Sequence, residues 1–359
     1  MTTLDIDAES LLAGVDAGRA LPSNWYTDQG IHRAELDRVL RRSWHYGTHT
    51  GELANAGDVA LRDIAGIPVV LTRAGDGRIR GFVNICRHRA HPVVLEPGTR
   101  KRETMQCLYH GWTYDFAGAL LRAPRAEYEE LDFEPADCGL VPVQTHVWGP
   151  TVWVNPDLGA PSFDEWTQGL AEDVAGNGTD VASNFMAIER EFDIRANWKV
   201  FLDNAIECYH CPTCHSRLSS VLVMNPHRQK TTIGNRYWST HQIPYRDEDR
   251  MYYFHWIFPA TYFQYTGAGF DVGSIEVVSL DRIVFRSFSF VPNGTPSDEI
   301  AARAKQLDES PTIPEDVAIC ERVQRSHEVG IAPPGRLLPW SEHLVLHYQR
   351  TLIEMMTAP

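Results

Sequence analysis

NWKVFLDNAIECYHCPTCH, residues 197–215, packs two histidines, three cysteines and two carboxylates into nineteen residues. On a helix of 3.6 residues per turn, Asp203, Glu207 and His210 share one face, flanked by Asn204 and Ile206. His215 lies five residues past His210 and would leave that face on an unbroken helix. Pro212 stands between them and cannot continue the hydrogen-bond ladder, so the backbone is expected to bend there. Such a bend brings both imidazoles to one point. Two histidines and a carboxylate on an iron with open positions form the facial triad of oxygen-activating non-haem sites.

Outside this stretch, composition narrows the possibilities. The 359 residues leave room for about two domains and a large core. With 33 basic against 47 acidic residues the net charge is −14, which repels nucleic acid and anionic membrane. No apolar run approaches the roughly 20 residues that a bilayer requires. The start, MTTLDIDAESLLAG, lacks the basic onset and apolar core of a signal peptide. A cytoplasmic protein with no nucleic-acid or membrane partner is expected. The seven cysteines are Cys86, Cys107, Cys138, Cys208, Cys211, Cys214 and Cys320. An odd count in a reducing compartment speaks against a disulfide framework and for metal or packing roles.

Along the chain, residues 1–43 read as an N-terminal arm, with Leu36, Val39 and Leu40 at helical spacing. From Trp44 short β-branched runs alternate with Gly, Asp and Asn turns as far as Asn155-Pro156, the texture of a small antiparallel domain. Residues 171–184 are small and polar and read as a loop. The remainder, 157–359, mixes the central helical stretch with aromatic strands and closing helices. In MYYFHWIFPATYFQY, Tyr252, Phe254, Trp256 and Phe258 alternate onto one strand face. With Trp238 and Tyr262 they could wall a pocket for an aromatic substrate or a quaternary ammonium cation. Simple sheet packing of the same rings is the plainer alternative.

Within the small β domain, Cys86-Arg87-His88 is followed after eighteen residues by Cys107-Leu108-Tyr109-His110. Two loops, each giving one thiolate and one imidazole, suit a metal centre between two hairpins. A Cys₂His₂ zinc site and a Rieske [2Fe–2S] centre both use such a donor set. Zinc loops usually repeat one ligand type, whereas each loop here mixes the two. Cys208, Cys211 and Cys214 also match a C-x-x-C-x-x-C cluster run, which needs a further cysteine. Burial in the core is the favoured role for these thiols. Asp203 is a further candidate ligand, better suited by its context to hydrogen bonding a ligand histidine. His91 comes after the first loop and is expected to cap it.

The segment NICRHRAHP…MQCLYHGWTYDFAG resembles the Rieske motif of the Rieske non-haem iron oxygenases, catalytic α subunit. The resemblance extends through NWKVFLDNAIECYHCPTCH to EDVAICERVQ near the C-terminus. It implies an α+β chain: an arm at 1–43, a Rieske β domain at 44–156, and a mixed helix and antiparallel-sheet catalytic domain of helix-grip type at 157–359. By the same resemblance Cys86 and Cys107 would hold one cluster iron, and His88 and His110 the other. His210, His215 and Asp316 would bind a mononuclear Fe(II), with Glu315 the rival to Asp316. Glu207 would couple the two centres. The E-C-Y-H-C form looks like the branch of glycine betaine, carnitine and related demethylases and monooxygenases, built from α subunits alone. Two departures are Ala90, where many members have Gly, and Ser216, where Pro is common.

The implied reaction hydroxylates or oxidatively demethylates a small organic substrate with dioxygen. Electrons would pass between neighbouring subunits, which implies a head-to-tail ring, expected to be a homotrimer. The chain has no G-x-G-x-x-G fingerprint, so NAD(P)H would act through a separate reductase or ferredoxin. A Rieske-type electron carrier and a zinc-bound structural protein are the competing classes.

Overall fold

The structure, a computed structural model, describes residues 6–128, 133–246, 249–265, 267 and 269–358. The first five residues of the arm lie outside the described residues. The chain separates into two units, Arg41–Phe163 and Met1–Leu40 with Asp164–Pro359.

Arg41–Phe163 is built from short strands: β1 (His45–His49), β2 (Asp58–Ile64), β3 (Ile67–Arg73), β4 (Ile79–Val83), β5 (Gly98–Thr99), β6 (Thr104–Gln106), β7 (Thr113–Asp115), β8 (Leu120–Arg122), β9 (Pro142–Trp148) and β10 (Thr151–Asn155). An antiparallel sheet runs β1-β10-β9-β4-β3-β2-β5, and a small one runs β6-β7-β8. Alternating Val, Leu and Ile residues of β2, β3 and β10 fill the core beneath the larger sheet. A second core cluster gathers Phe82, Cys86, Met105, Cys107, Tyr114 and Phe116. Gly118 turns the chain between β7 and β8 at φ +87°, and a Cβ there would stand 2.4 Å from the Phe82 ring. The unit runs past Pro156 because its own side chains bind the backbone of residues 157–161. Trp44 Nε1 donates to Pro161 O (3.0 Å), and Gln144 Nε2 donates to Asp157 O (2.7 Å) and Ala160 O (2.9 Å).

The other unit carries β11 (Asn184–Ile194), β12 (Lys230–Asn235), β13 (Trp238–Pro244), β14 (Met251–Ile257), β15 (Thr261–Tyr265), β16 (Phe270–Ser279) and β17 (Arg282–Pro292). They form one antiparallel sheet, ordered β11-β17-β16-β15-β14-β13-β12. The segment 171–184, expected as a loop, opens with the helix Leu170–Gly176. Leu170 and Val174, four residues apart, are both buried there, and that pairing outweighs the small polar composition. The closing helix His343–Thr357 buries Leu344, Tyr348, Leu352 and Met356. The Tyr348 ring lies 4.9 Å from Phe258, and its hydroxyl donates to Pro259 O at 2.5 Å. Mixed helices on an antiparallel sheet, after an N-terminal β domain, match the expected α+β class. Among the described residues no helix is long and apolar enough to cross a membrane.

Candidate active site

The central stretch begins as a helix, Trp198–Ala205, capped by Asn197, whose side chain accepts from Lys199 N at 3.0 Å. Its buried face is anchored by Lys199, which donates to Glu35 Oε2 at 2.8 Å deep in the unit. The helix stops at Ala205, so the expected single face of Asp203, Glu207 and His210 does not form. Ile206, buried at 3%, takes the C-cap. Asp203 serves no ligand histidine. It accepts from the Tyr26 hydroxyl (2.6 Å) and from Gln349. The bend comes ahead of Pro212, not at it: Pro212 sits in the first turn of a second short helix, Cys211–Cys214. A proline costs nothing there, because that N–H has no helical partner. His210 precedes this one turn and His215 comes directly after it, so one turn of chain aims both rings at the same point.

Asp316 joins them from the helix Thr312–Val329. Its Oδ1 lies 3.0 Å from His215 Nε2 and 3.4 Å from His210 Nε2, and the two Nε2 atoms are 3.2 Å apart. Donors at right angles on bonds of about 2.1 Å lie about 3.0 Å apart. The three atoms thus make the triangular face that a six-coordinate ion presents to a facial triad. Electrostatics agree with a cation at this point. Burial disfavours a charged His210, yet Asp316 and Glu207 outweigh it and raise the imidazole to about 9. His215 is likewise raised against burial by Asp316 and Glu315.

The remaining nitrogens are each held by a carboxylate. His210 Nδ1 donates to Glu207 Oε1 at 2.5 Å, and His215 Nδ1 donates to Glu315 Oε2 at 2.7 Å. Glu315 thus meets the outer nitrogen of His215, and Asp316 Oδ1 is the third atom of the triangle. Asn204 Nδ2 donates to Asp316 Oδ1 at 2.7 Å and fixes that carboxylate. Glu207 also accepts from Tyr209 N. Cys211 Sγ lies within 4.8 Å of the ligand nitrogens. It is bonded to Cys208 as a disulfide, which overturns the expectation of free packing thiols and removes both from a C-x-x-C-x-x-C cluster. Nothing in cysteine count signals a bridge so local: two residues of spacing close it without a framework.

A cavity of about 260 Å³ adjoins the triad, walled by Phe201, Tyr252, Phe254, Tyr262 and Phe285. The aromatic strand was expected to place Trp256, Phe258 and Trp238 here as well. These three instead border a separate crevice with Tyr348, because sheet twist turns the far end of β14 toward the closing helix. Burial, then neighbouring phenols and the charges of Asp271 and Asp316, push the Tyr252 hydroxyl up. Tyr262 is raised by burial and by the same two carboxylates. Arg190, Gln264, Asp271 and Ser287 complete the wall. These four escaped the sequence reading. Gln264 and Asp271 carry only the signal of a polar residue among apolar neighbours on a strand, and Arg190, between Glu189 and Glu191, and Ser287, after Arg286, carry none.

In Arg41–Phe163 the two ligand loops share one backbone pattern. Cys86 N donates to His91 O (2.9 Å) and Ala90 N to Cys86 O (3.0 Å); Cys107 N donates to Trp112 O (2.8 Å) and Gly111 N to Cys107 O (3.0 Å). Ala90 and Gly111 hold the same left-handed position, at φ +57° and +75°. Cys86 and Cys107 are buried, whereas His88 and His110 are exposed, their ring centroids 4.5 Å apart. Burial, and then the neighbouring Cys86 sulfur, raise the Cys107 thiol. Two thiols inside and two imidazoles outside fit a two-iron cluster whose inner iron takes sulfur and whose outer iron takes nitrogen. The Tyr114 hydroxyl lies 3.3 Å from Cys86 Sγ and accepts from Arg87 N at 3.0 Å. His91 Nδ1 donates to Pro92 O at 2.7 Å and stands 3.8 Å from Cys107 Sγ.

Known proteins share both parts. A Rieske [2Fe-2S] domain model matches residues 43–136, and a model of the ring hydroxylating alpha subunit catalytic domain matches residues 185–358. Choline monooxygenase from Atriplex hortensis is 32% identical over 220 residues, 60% of this chain and 49% of that protein. The carnitine monooxygenase oxygenase subunit of Escherichia coli (strain K12) is 32% identical over 232 residues, 65% of this chain and 59% of that one. The chain thus spans between half and three fifths of these two relatives. A solved quaternary ammonium Rieske monooxygenase, described in terms of carnitine oxidation and inter-subunit electron transfer, superposes with a TM-score of 0.86. That likeness has 23% identity and covers 99% of this chain and 100% of that one.

Proposed function

Because this chain belongs to the Rieske-type ring-hydroxylating oxygenase α-subunit family, we propose that it oxygenates a small quaternary ammonium compound. The observation that carries the reading is the triangle of His210 Nε2, His215 Nε2 and Asp316 Oδ1 beside an aromatic-walled cavity. A cluster on Cys86, His88, Cys107 and His110 would supply electrons singly, and iron on His210, His215 and Asp316 would activate dioxygen. The protein's residues do the rest. Glu207 and Glu315 hold each Nδ1–H, so that each Nε2 presents a lone pair to the metal. Asn204 fixes Asp316. Phe201, Tyr252, Phe254, Tyr262 and Phe285 exclude water and offer ring faces to an ammonium group, in keeping with the relatives that act on choline and carnitine.

The balanced reaction takes one substrate C–H, dioxygen, two electrons and two protons to one C–OH and water. On a carbon next to nitrogen the hydroxylated product releases an aldehyde and an amine as the C–N bond breaks. Electrons would come from a separate NAD(P)H-dependent reductase or ferredoxin, and the subunits would form a head-to-tail homotrimer. Glu207, hydrogen-bonded to His210, would couple the iron to a neighbour's cluster.

The test is purified, iron-reconstituted protein with a surrogate reductase, offered quaternary ammonium compounds, aromatic acids and aromatic amines. Oxygen uptake with matching product from the ammonium class is expected. Iron content separates the electron-carrier reading, which needs two irons per chain where the oxygenase needs three. A colourless zinc-loaded protein would overturn both.

A further inference from the structure

The bridged cysteines have no part in the reaction described above. In Cys208-Tyr209-His210-Cys211 they enclose a triad histidine, at the spacing of redox-active dithiols. Closing so short a loop removes little freedom from the unfolded chain, so the bridge is a weak staple. Its position is more informative. Among the described residues, Cys208 and Cys211 are the only sulfur-bearing side chains that line the cavity beside the triad. Cys211 is buried at 4%, and its Sγ lies within 4.8 Å of a ring nitrogen of both His210 and His215. Cys208 is half-buried and also lines a second cavity, of about 620 Å³, together with Cys214. Tyr209 and Trp340, which border that second cavity, are exposed. Cys211 thus faces the inner cavity alone, whereas Cys208 borders both.

We propose that Cys211 and Cys208 form a dithiol that destroys hydrogen peroxide arising at the triad. This rests on the oxygenase reading above. When dioxygen is reduced with no substrate C–H at hand, the same two electrons and two protons make one hydrogen peroxide. Released into the inner cavity, it meets Cys211. The Cys211 thiolate attacks one oxygen and the O–O bond breaks. The departing hydroxide takes the thiol proton and leaves as water, and a sulfenic acid remains. The Cys208 sulfur then displaces the sulfenic hydroxyl, so that an S–S bond forms, the S–O bond breaks and a second water departs. In sum, one peroxide and two thiols become one disulfide and two waters. The bridge in the structure is that product. A dithiol reductant that reaches Cys208 from the second cavity reopens it by exchange and is itself oxidised to a disulfide. The groups spared are the imidazoles of His210 and His215, which peroxide would otherwise oxidise.

The experiment starts from the iron-loaded oligomer, reduced with a dithiol and freed of it under anaerobic conditions. Thiols are counted by alkylation after acid quenching, denaturation and demetallation, and the modified residues are located by peptide mapping. The count should begin at seven, and one equivalent of hydrogen peroxide should lower it to five, with the new bridge at Cys208 and Cys211. Turnover with a surrogate reductase and no substrate should close the same bridge even with catalase in solution, because the peroxide arises inside the cavity. Cys208→Ser should halt at a sulfenic acid on Cys211, which a cyclic dione captures. In Cys211→Ser oxygen should add to His210 or His215 instead, with loss of iron. Metal content and unfolding midpoint establish that each variant is folded; if one is not, the other and the wild-type counts decide. A bridge that the dithiol cannot open in the folded protein, or thiols that survive equimolar peroxide, would make it a structural link and overturn the inference. Closure abolished by catalase would place the peroxide in bulk solution, which overturns the inference and leaves the oxygenase reading standing. A sulfenic acid captured on Cys208 and never on Cys211 overturns the assignment of Cys211. If the reductase drives no oxygen uptake at all, the oxygenase reading falls and the source of peroxide falls with it.

Discussion

Asp316 and Glu315 are adjacent in sequence and do different work. The carboxylate of Asp316 meets the Nε2 side of both histidines, and that of Glu315 meets the Nδ1 of His215 alone. Asp316→Ala should therefore empty the mononuclear site while the Rieske absorption and EPR signals persist. Glu315→Gln should keep the iron but weaken its affinity by roughly 10–100-fold. If metal analysis shows iron lost only on replacing Glu315, the two roles are exchanged. A separate prediction concerns Asp203. Burial raises its carboxyl to about 6, against the lowering effect of Tyr26, Gln349 and Lys199. The unfolded carboxyl titrates near 4. Between those values the folded chain keeps a proton that the unfolded chain has lost, so stability falls as pH rises through the window. Above it the cost is about 2–3 kcal/mol. Asp203→Asn does not titrate. It should exceed wild type in stability at pH 8 by about that amount and match it near pH 4, as read by urea unfolding. A gap of the same size at both pH values would show that Asp203 does not titrate in this window. That Glu207, His210 and His215 come together was legible in the sequence because they crowd one short segment. The partition between Asp316 and Glu315 could not, since it depends on a contact across about a hundred residues.

At the level of elements, local signals were legible and endings were not. The loops of Cys86–His88 and Cys107–His110 close on themselves through bonds four and five residues apart, so spacing alone describes them. The helix from Trp198 ends with no glycine or proline to mark it, and only burial of Ile206 explains the stop. Leu170–Gly176 is the converse case, a helix made by two buried side chains in a segment of polar composition. The paired loops also expose a local cost. Ala90 occupies the left-handed position that Gly111 fills in the other loop, at about 1–2 kcal/mol for a residue with a Cβ. Ala90→Gly relieves this and gives back part of it as unfolded-chain entropy. A net gain of about 0.5–1 kcal/mol is expected from the unfolding midpoint of the iron-loaded protein, with the cluster spectrum unchanged. A loss of stability would mean that the loop needs the methyl group more than it strains against it. The Cys208–Cys211 bridge adds a count. Alkylation of denatured, demetallated protein should label five thiols, and all seven after a dithiol reductant. Seven labelled thiols without reductant would dispose of the bridge.

For the whole molecule, charge and assembly decide how electrons arrive. The chain carries −14, yet residues 71–125 hold ten Lys or Arg against four acids. Arg80 is paired with Asp76 and Arg73 donates to Leu53 O, whereas Arg87, Arg89, Lys101, Arg102, Arg122 and Arg125 are exposed. An acidic ferredoxin or reductase domain would be steered to this face. Its rate of cluster reduction should drop steeply with added salt, and a rate indifferent to ionic strength would remove the idea. The proposed ring makes a stronger demand. If electrons cross between chains, no subunit needs both of its own centres in working order. His110→Ala should be inactive for want of electrons, and His210→Ala for want of a place to activate oxygen. Mixed oligomers of the two, isolated through two different tags, should regain part of the activity, because the intact cluster of one chain serves the intact iron of its neighbour. Adding Glu207→Ala to the His110→Ala chain should abolish that rescue. Glu207 holds the Nδ1 of the only histidine pair that still carries iron, and efficient transfer needs a short, hydrogen-bonded path. The cluster loops are part of a buried core, so formation of the mixed oligomers is first verified by size and by both tags. Well-formed mixed oligomers without activity would mean that transfer stays within one chain, or that these residues do not hold the two centres.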